Sequence, residues 1–136
     1  MFLLDTDTVI YSLKGHPQVV ANLDHHRTDP LAVSIITLME LFYGAHKSQQ
    51  PTANLAKVHT VGDALEIIPL GPAEADIFGR HKAELERSGT LLDDFDLAIA
   101  ACALTRNLTL VTNNTAHFTR IPGLRLETWT RESGGR

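Results

Sequence analysis

The sequence predicts an α/β fold, with a mainly parallel sheet of four to five strands and helices on both faces. Three observations predict it. Met1-Phe2-Leu3-Leu4 is an apolar run too short for a helical stripe, and it suits a strand buried on both faces. Similar short runs recur at 31–34, 66–69, 108–111 and 124–128, with stretches of helical periodicity between them. The segments joining them are short, which implies right-handed crossovers between parallel strands.

Taken in order, the first strand turns polar at Asp5-Thr6-Asp7, and Thr8 to Leu13 follows as a short helix closed by Gly15. Asp5 or Asp7 is available to cap that helix. Pro17 opens a second helix, Gln18 to His26, with Val19, Val20 and Leu23 on one face. Arg27 to Pro30 is a polar turn, and the neighbouring His25-His26 pair is expected at the surface. Leu31 to Ser34 is the second strand. Ser34 then caps a helix in which Ile35, Leu38, Met39, Leu41 and Phe42 recur at helical spacing, ending near Lys47. Pro51 to Leu65 is a helix with the stripe Leu55, Val58, Val61 and Leu65, and Glu66 to Pro69 is the third strand. Pro72 opens a long amphipathic helix carrying Ala75, Ile77, Phe78, Ala83 and Leu85, stopped by Ser88-Gly89, with Arg80, Lys82, Glu84, Glu86 and Arg87 on a solvated face. Asp93 or Asp94 caps the next helix, whose alanine-rich run from Leu97 to Leu104 permits close approach to the sheet. Leu108 to Val111 is the fourth strand, ending in Thr112-Asn113-Asn114, and Leu124 to Thr128 is the fifth.

At 136 residues the chain reads as one domain, 1–130, with a flexible C-terminal tail at 131–136. Its composition, 43% hydrophobic and 21% charged, is that of a globular protein. The single Cys102 excludes an intrachain disulfide and reads as a buried thiol in the alanine-rich helix. No apolar run approaches a membrane span and no leader pattern precedes Asp5, so a cytoplasmic location is expected. The net charge of −4 excludes binding nucleic acid by bulk attraction. It leaves room for an enzyme that holds phosphate through metal ions and a few local cations, for which Lys47, Arg80, Lys82 and Arg87 are the candidates.

Three carboxylates then stand out. Ligands bind at the carboxyl ends of strands in an open α/β sheet, where Asp5 falls. Glu40 interrupts the apolar stripe of its helix, and a charge there is costly unless paired or metal-bound. Asp96 shares a face with Ile99, Ala100 and Ala103, the face pressed toward the sheet. Gathered without compensation, these groups repel one another and raise their own pKa values, which a divalent cation relieves. All-oxygen ligands select Mg²⁺ or Mn²⁺ over Zn²⁺, and the waters such an ion retains supply a nucleophile. The seven histidines are scattered and offer no zinc site.

Four segments carry a resemblance when taken together. Leu3-Leu4-Asp5-Thr6-Asp7 resembles the opening of PIN-domain nucleases, and so does Ser34-Ile-Ile-Thr37-Leu-Met-Glu40-Leu-Phe-Tyr-Gly44-Ala. Phe95-Asp96-Leu-Ala-Ile-Ala-Ala and Leu110-Val-Thr112-Asn113-Asn114-Thr-Ala-His-Phe118 complete the set. Their order and spacing resemble the VapC toxins of type II toxin–antitoxin systems over nearly the whole chain, Phe2 to Trp129. The resemblance implies a PIN-like three-layer α/β/α fold and an Mg²⁺-dependent endoribonuclease, possible tRNA cleavage included. It also implies neutralisation by a VapB-type antitoxin and a homodimer. By position, Asp5, Glu40 and Asp96 match the family's acidic residues and are the expected catalytic and metal ligands. Many PIN domains carry a fourth acidic residue past the fourth strand. Here Asn114 and His117 stand instead, so Asn114 is the candidate fourth catalytic residue, able to hold a water or a phosphate, and a second metal loses support.

Two other readings compete. Asp5-Thr6-Asp7-Thr8-Val9 fits the opening of haloacid-dehalogenase-type phosphatases with Asp5 as nucleophile, yet no glycine follows Asp7 and Glu40 and Asp96 go unexplained. A non-catalytic, receiver-like Mg²⁺-binding module needs an aspartate after the third strand and a lysine after the fifth, and the sequence offers neither.

Overall fold

The structure, a computed structural model, describes residues 1–131. The chain runs β1 (Phe2–Leu4), α1 (Thr6–Leu13), α2 (Pro17–His25), β2 (Leu31–Ser34), α3 (Ile35–Lys47), α4 (Pro51–Ala64) and β3 (Glu66–Ile68). It continues with α5 (Pro72–Ser88), α6 (Asp94–Arg106), β4 (Thr109–Val111), α7 (Thr115–Phe118) and β5 (Arg125–Glu127). All five strands are parallel, in the order β3-β2-β1-β4-β5. β1 is therefore central, with Leu3 in register with Ala32 on one side and Leu110 on the other. The chain winds outward from β1 through β2 and β3, then returns to the opposite side for β4 and β5. The carboxyl end of β1 is the point where the winding reverses, and such points open a crevice for ligands.

Strand period alone divides the core in two. Leu3, Ala32 and Leu110 face one side, where they pack with Ile99, Cys102 and Ala103 of α6 and with Phe118. Leu4, Val33 and Val111 face the other, against Val9 of α1, Leu41 and Ala45 of α3, and Val58 and Val61 of α4. The result is three layers. On α6 every residue from Leu97 to Ala103 is buried, as its small side chains allow. Helix ends follow the sequence signals: Ser34 caps α3 through Ile36 N at 3.0 Å, and Gly89 ends α5 in the left-handed region at φ 73°.

Three local expectations are corrected. On α5 the fully buried residues are Glu74, His81 and Leu85, with Ile77, Phe78 and Ala83 partly buried, whereas Ala75 is exposed. Glu74 is buried because its carboxylate accepts from Gly71 N at 2.9 Å and lies 3.8 Å from the Arg106 guanidinium, so its charge is met from two elements. His25 is exposed as expected, whereas His26 is largely covered. It stacks on Trp129 at 4.8 Å and 2°, meets the Phe2 ring edge-on and bonds Asp29 at 2.7 Å. Helix α7 has four residues, too few for a periodic signal, and went unread in the sequence. The expected tail lies, Arg131 apart, outside the described residues. Among those residues no helix is long and apolar enough to cross a membrane.

Candidate active site

Asp5 stands at the carboxyl end of β1, and its backbone is fixed there by the bond from Asp5 N to Val111 O at 3.0 Å. The side chain is the N-cap of α1, accepting from Thr8 N at 2.8 Å. The helix begins at Thr6, two residues earlier than its periodicity suggests, so Asp5 and not Asp7 is the cap. Capping does not remove Asp5 from the site, because a carboxylate has lone pairs to spare beyond the one bond. Asp5 is 95% buried, and burial pushes its carboxyl above the ordinary range. Hydrogen bonds from Thr112 and Thr8 work in the opposite direction, and the Asp7 charge adds to the rise.

Glu40 reaches the same edge from α3. Its Oε1 accepts from the Thr6 hydroxyl at 2.6 Å, and that hydroxyl also lies 3.1 Å from the Thr37 hydroxyl. Thr37 is fully buried, so the Thr6–Thr37 pair anchors the glutamate from two helices.

Asp96 opens the buried face of α6 and is half-buried. Its carboxyl is pushed up to about 6, first by burial and then by the charges of Asp93, Asp5, Glu40 and Asp7, in that order. The helix thus brings Asp96 into the field of the other two sequence-predicted carboxylates, and of two more. Asp93 is the N-cap of α6, accepting from Phe95 N and Asp96 N, while Asp7 is exposed on the first turn of α1. None of these five acids takes part in an ion pair among the described residues. The edge is one of concentrated negative charge.

Asn114 lies on the same side of the sheet, just past β4, as the N-cap residue of α7, and makes no side-chain cap bond. Its backbone N donates to Thr112 Oγ1 at 3.0 Å, which folds the loop back over the strand end. His117 is exposed on α7. Sequence reasoning missed Thr6, which holds Glu40, and Thr112, whose hydroxyl lowers the Asp5 pKa. Both adjoin motif residues, but a hydroxyl beside a carboxylate carries no periodic or charge signal.

The donor set suits a hard divalent cation, being all oxygen and in no ion pair among the described residues. As they stand, no three His, Cys, Asp or Glu side chains among the described residues converge into a set that would hold an ion, since Glu40 is turned to Thr6. The fit is therefore one of chemistry and charge.

A family model of the PIN domain matches residues 2–124. The chain belongs to the PIN-domain family. Among its relatives, the tRNA(fMet)-specific endonuclease VapC of Salmonella typhimurium is 42% identical over 128 residues, covering 94% of this chain and 97% of that one. Ribonuclease VapC2 of Haemophilus influenzae is 39% identical with the same coverage. The solved structure of VapBC2 from Rickettsia felis, bound to a DNA fragment from their promoter, superposes with a TM-score of 0.88 at 37% identity, covering 94% and 98% of the two chains. The DNA-bound VapBC of Salmonella typhimurium also reaches 0.88, at 42% identity over 94% and 97%. This PIN-domain membership displaces the phosphatase and receiver readings.

Proposed function

We propose that this chain is an Mg²⁺-dependent endoribonuclease, the toxin of a type II toxin–antitoxin pair, cleaving RNA by hydrolysis. The observation that carries the reading is the gathering of Asp5 at the end of β1, Glu40 on α3 and Asp96 on α6, with Asp7 and Asp93 near, none of them in an ion pair among the described residues. Sites tuned by burial and like charge in this way are functional-site candidates. The relatives named endonuclease and ribonuclease VapC support RNA as substrate, and the tRNA(fMet) named for one of them makes tRNA the first RNA to test.

In this reading Asp5, Glu40 and Asp96 hold the ion, for which Mn²⁺ substitutes. When bound, the ion stabilises charge on the phosphoryl group and acidifies a water. The protein's part is positioning. Thr8 N fixes Asp5, Thr6 steadies Glu40, and the α6 backbone fixes Asp96. The Asn114 amide orients a water or a phosphate oxygen at the rim without adding charge.

The partner is a VapB-type antitoxin, as the VapBC complexes among the structural relatives suggest. It inhibits by placing a basic side chain among the carboxylates, where a guanidinium meets them without a metal. Exposed Val20 on α2 and Met39 and Tyr43 on α3 give it apolar surface to cover. A homodimer is part of the same reading, and exposed Leu70 and Phe95, beside a hollow at α5 and α6 that Glu74 and Asp94 also line, offer it apolar surface. The cytoplasm is the proposed location.

End chemistry tests the reaction type. Hydrolysis by an in-line water leaves 5′-phosphate and 3′-hydroxyl ends on the products, and labelling the ends of cleaved RNA reads this directly. Attack by the RNA's own 2′-hydroxyl leaves a cyclic phosphate and needs a general base such as His117. A cyclic phosphate on the products would overturn the hydrolytic reading.

A further inference from the structure

We propose that the groove between α1, α3 and α4 carries the substrate RNA strand away from the carboxylate site, with Lys14 and Lys57 binding its backbone phosphates. The proposal rests on the nuclease reading above and adds to it a path and two residues. The groove has a volume of about 420 Å³ and is shared by Glu40 at the site and by both lysines. Buried Leu41 and Val58 form its floor. Lys14, at the end of α1, and Lys57, on α4, are exposed, and neither has a carboxylate partner among the described residues.

The other cations are occupied or placed elsewhere. Lys82 pairs with Asp94 at 3.0 Å, Arg106 with Glu74 and Arg27 with Asp24, while Arg120 donates to Leu91 O. Lys47 lies over the Tyr43 ring at 4.7 Å. Of the cations suggested by the sequence, none lines this groove; the two that do were not singled out. A chain of net charge −4 must draw phosphate locally, and two lysines flanking a groove that reaches the site do so. Ammonium groups on flexible stems bind phosphates without reading sequence, so they set register and not base choice. The apolar floor suits unstacked bases or ribose faces of a single strand. Ser48 and Asn54, bonded to each other at 2.9 Å within the groove, present a hydroxyl and an amide to ribose 2′-hydroxyls.

The test is steady-state cleavage of total bacterial tRNA in Mg²⁺ by wild type and by the double variant Lys14→Gln/Lys57→Gln, at several salt concentrations. The expected result is a KM raised roughly fivefold to twentyfold with kcat within about twofold, since two exposed charge contacts are lost and the carboxylates are untouched. The slope of log kcat/KM against log salt should also become shallower by about 1.4, the share of two phosphates on a single strand. Arg27→Gln should change neither quantity. An unchanged KM and slope in the double variant would overturn the proposal, including the case where only inhibition by the antitoxin weakens, which would give the groove to the protein partner. Absence of RNA cleavage by wild type would remove the nuclease reading itself, and is told apart from the former by the wild-type trace alone.

Discussion

Replacement of Asp96 by asparagine is expected to lower RNA cleavage roughly a thousandfold while leaving a folded and more stable chain, because a group that stabilises transition-state charge is lost without loss of packing. Asparagine keeps the shape and the α6 cap geometry but removes one of the three charges that the proposed ion needs. The stability gain follows from linkage. The folded carboxyl titrates at about 6, above the ordinary 3.8, so between these values the folded chain keeps a proton that the unfolded chain has shed. Stability of the wild type therefore falls as pH rises through that window, and the whole penalty is present above about pH 6. After discounting for the half-exposed position, Asp96→Asn should gain about 1 kcal/mol at pH 7.5 in EDTA and nothing near pH 4. Urea unfolding at the two pH values, run beside a cleavage assay, measures both effects. Cleavage within tenfold of wild type, or a gain in stability equal at both pH values, would count against the assignment.

Trp129→Ala is expected to cost about 3–5 kcal/mol, a large share of the stability of a domain this size. Trp129 is 98% buried in the core layer of α1 to α4. It meets Phe2 edge-to-face at 5.4 Å, stacks on His26 and donates from Nε1 to Glu127 at 2.8 Å. Its backbone carbonyl accepts from the buried Asn22 amide at 3.0 Å, which ties the end of the chain to α2. Truncation would leave a cavity and unseat all three contacts. Trp129→Phe keeps most of the volume and loses one hydrogen bond, so it should cost only about 1–2 kcal/mol. Denaturant midpoints of the two variants separate packing from polar contact. Equal and small losses in both would show that the C-terminal segment is peripheral.

These two positions also mark what was legible in the sequence. The strands and most helices were readable because each is a short apolar run or a periodic stretch with a cap. Ser34, Pro51, Pro72 and Gly89 stand at their boundaries as their chemistry requires. Glu40 and Asp96 were readable for the opposite reason, each being a charge on a face that should carry none, and Asp5 because it ends a buried strand. What the sequence concealed depends on partners distant in the chain. His26 looks like a polar turn residue until Trp129, Phe2 and Asp29 surround it, and nothing local marks Glu74 as buried until Gly71 N and Arg106 reach it. The threonines beside the carboxylates were hidden likewise, because a hydroxyl's role is set by whichever acceptor the fold delivers.

The most direct measurement is the initial rate of RNA cleavage by the purified chain, first in excess EDTA and then as Mg²⁺ is restored. Carboxylates that repel one another without an ion make the account depend on that ion. The expected result is no cleavage above background in EDTA, recovery with Mg²⁺ or Mn²⁺ in wild type, and no recovery in Asp96→Asn. Cleavage at the same rate in EDTA as in Mg²⁺ would contradict the account at its centre.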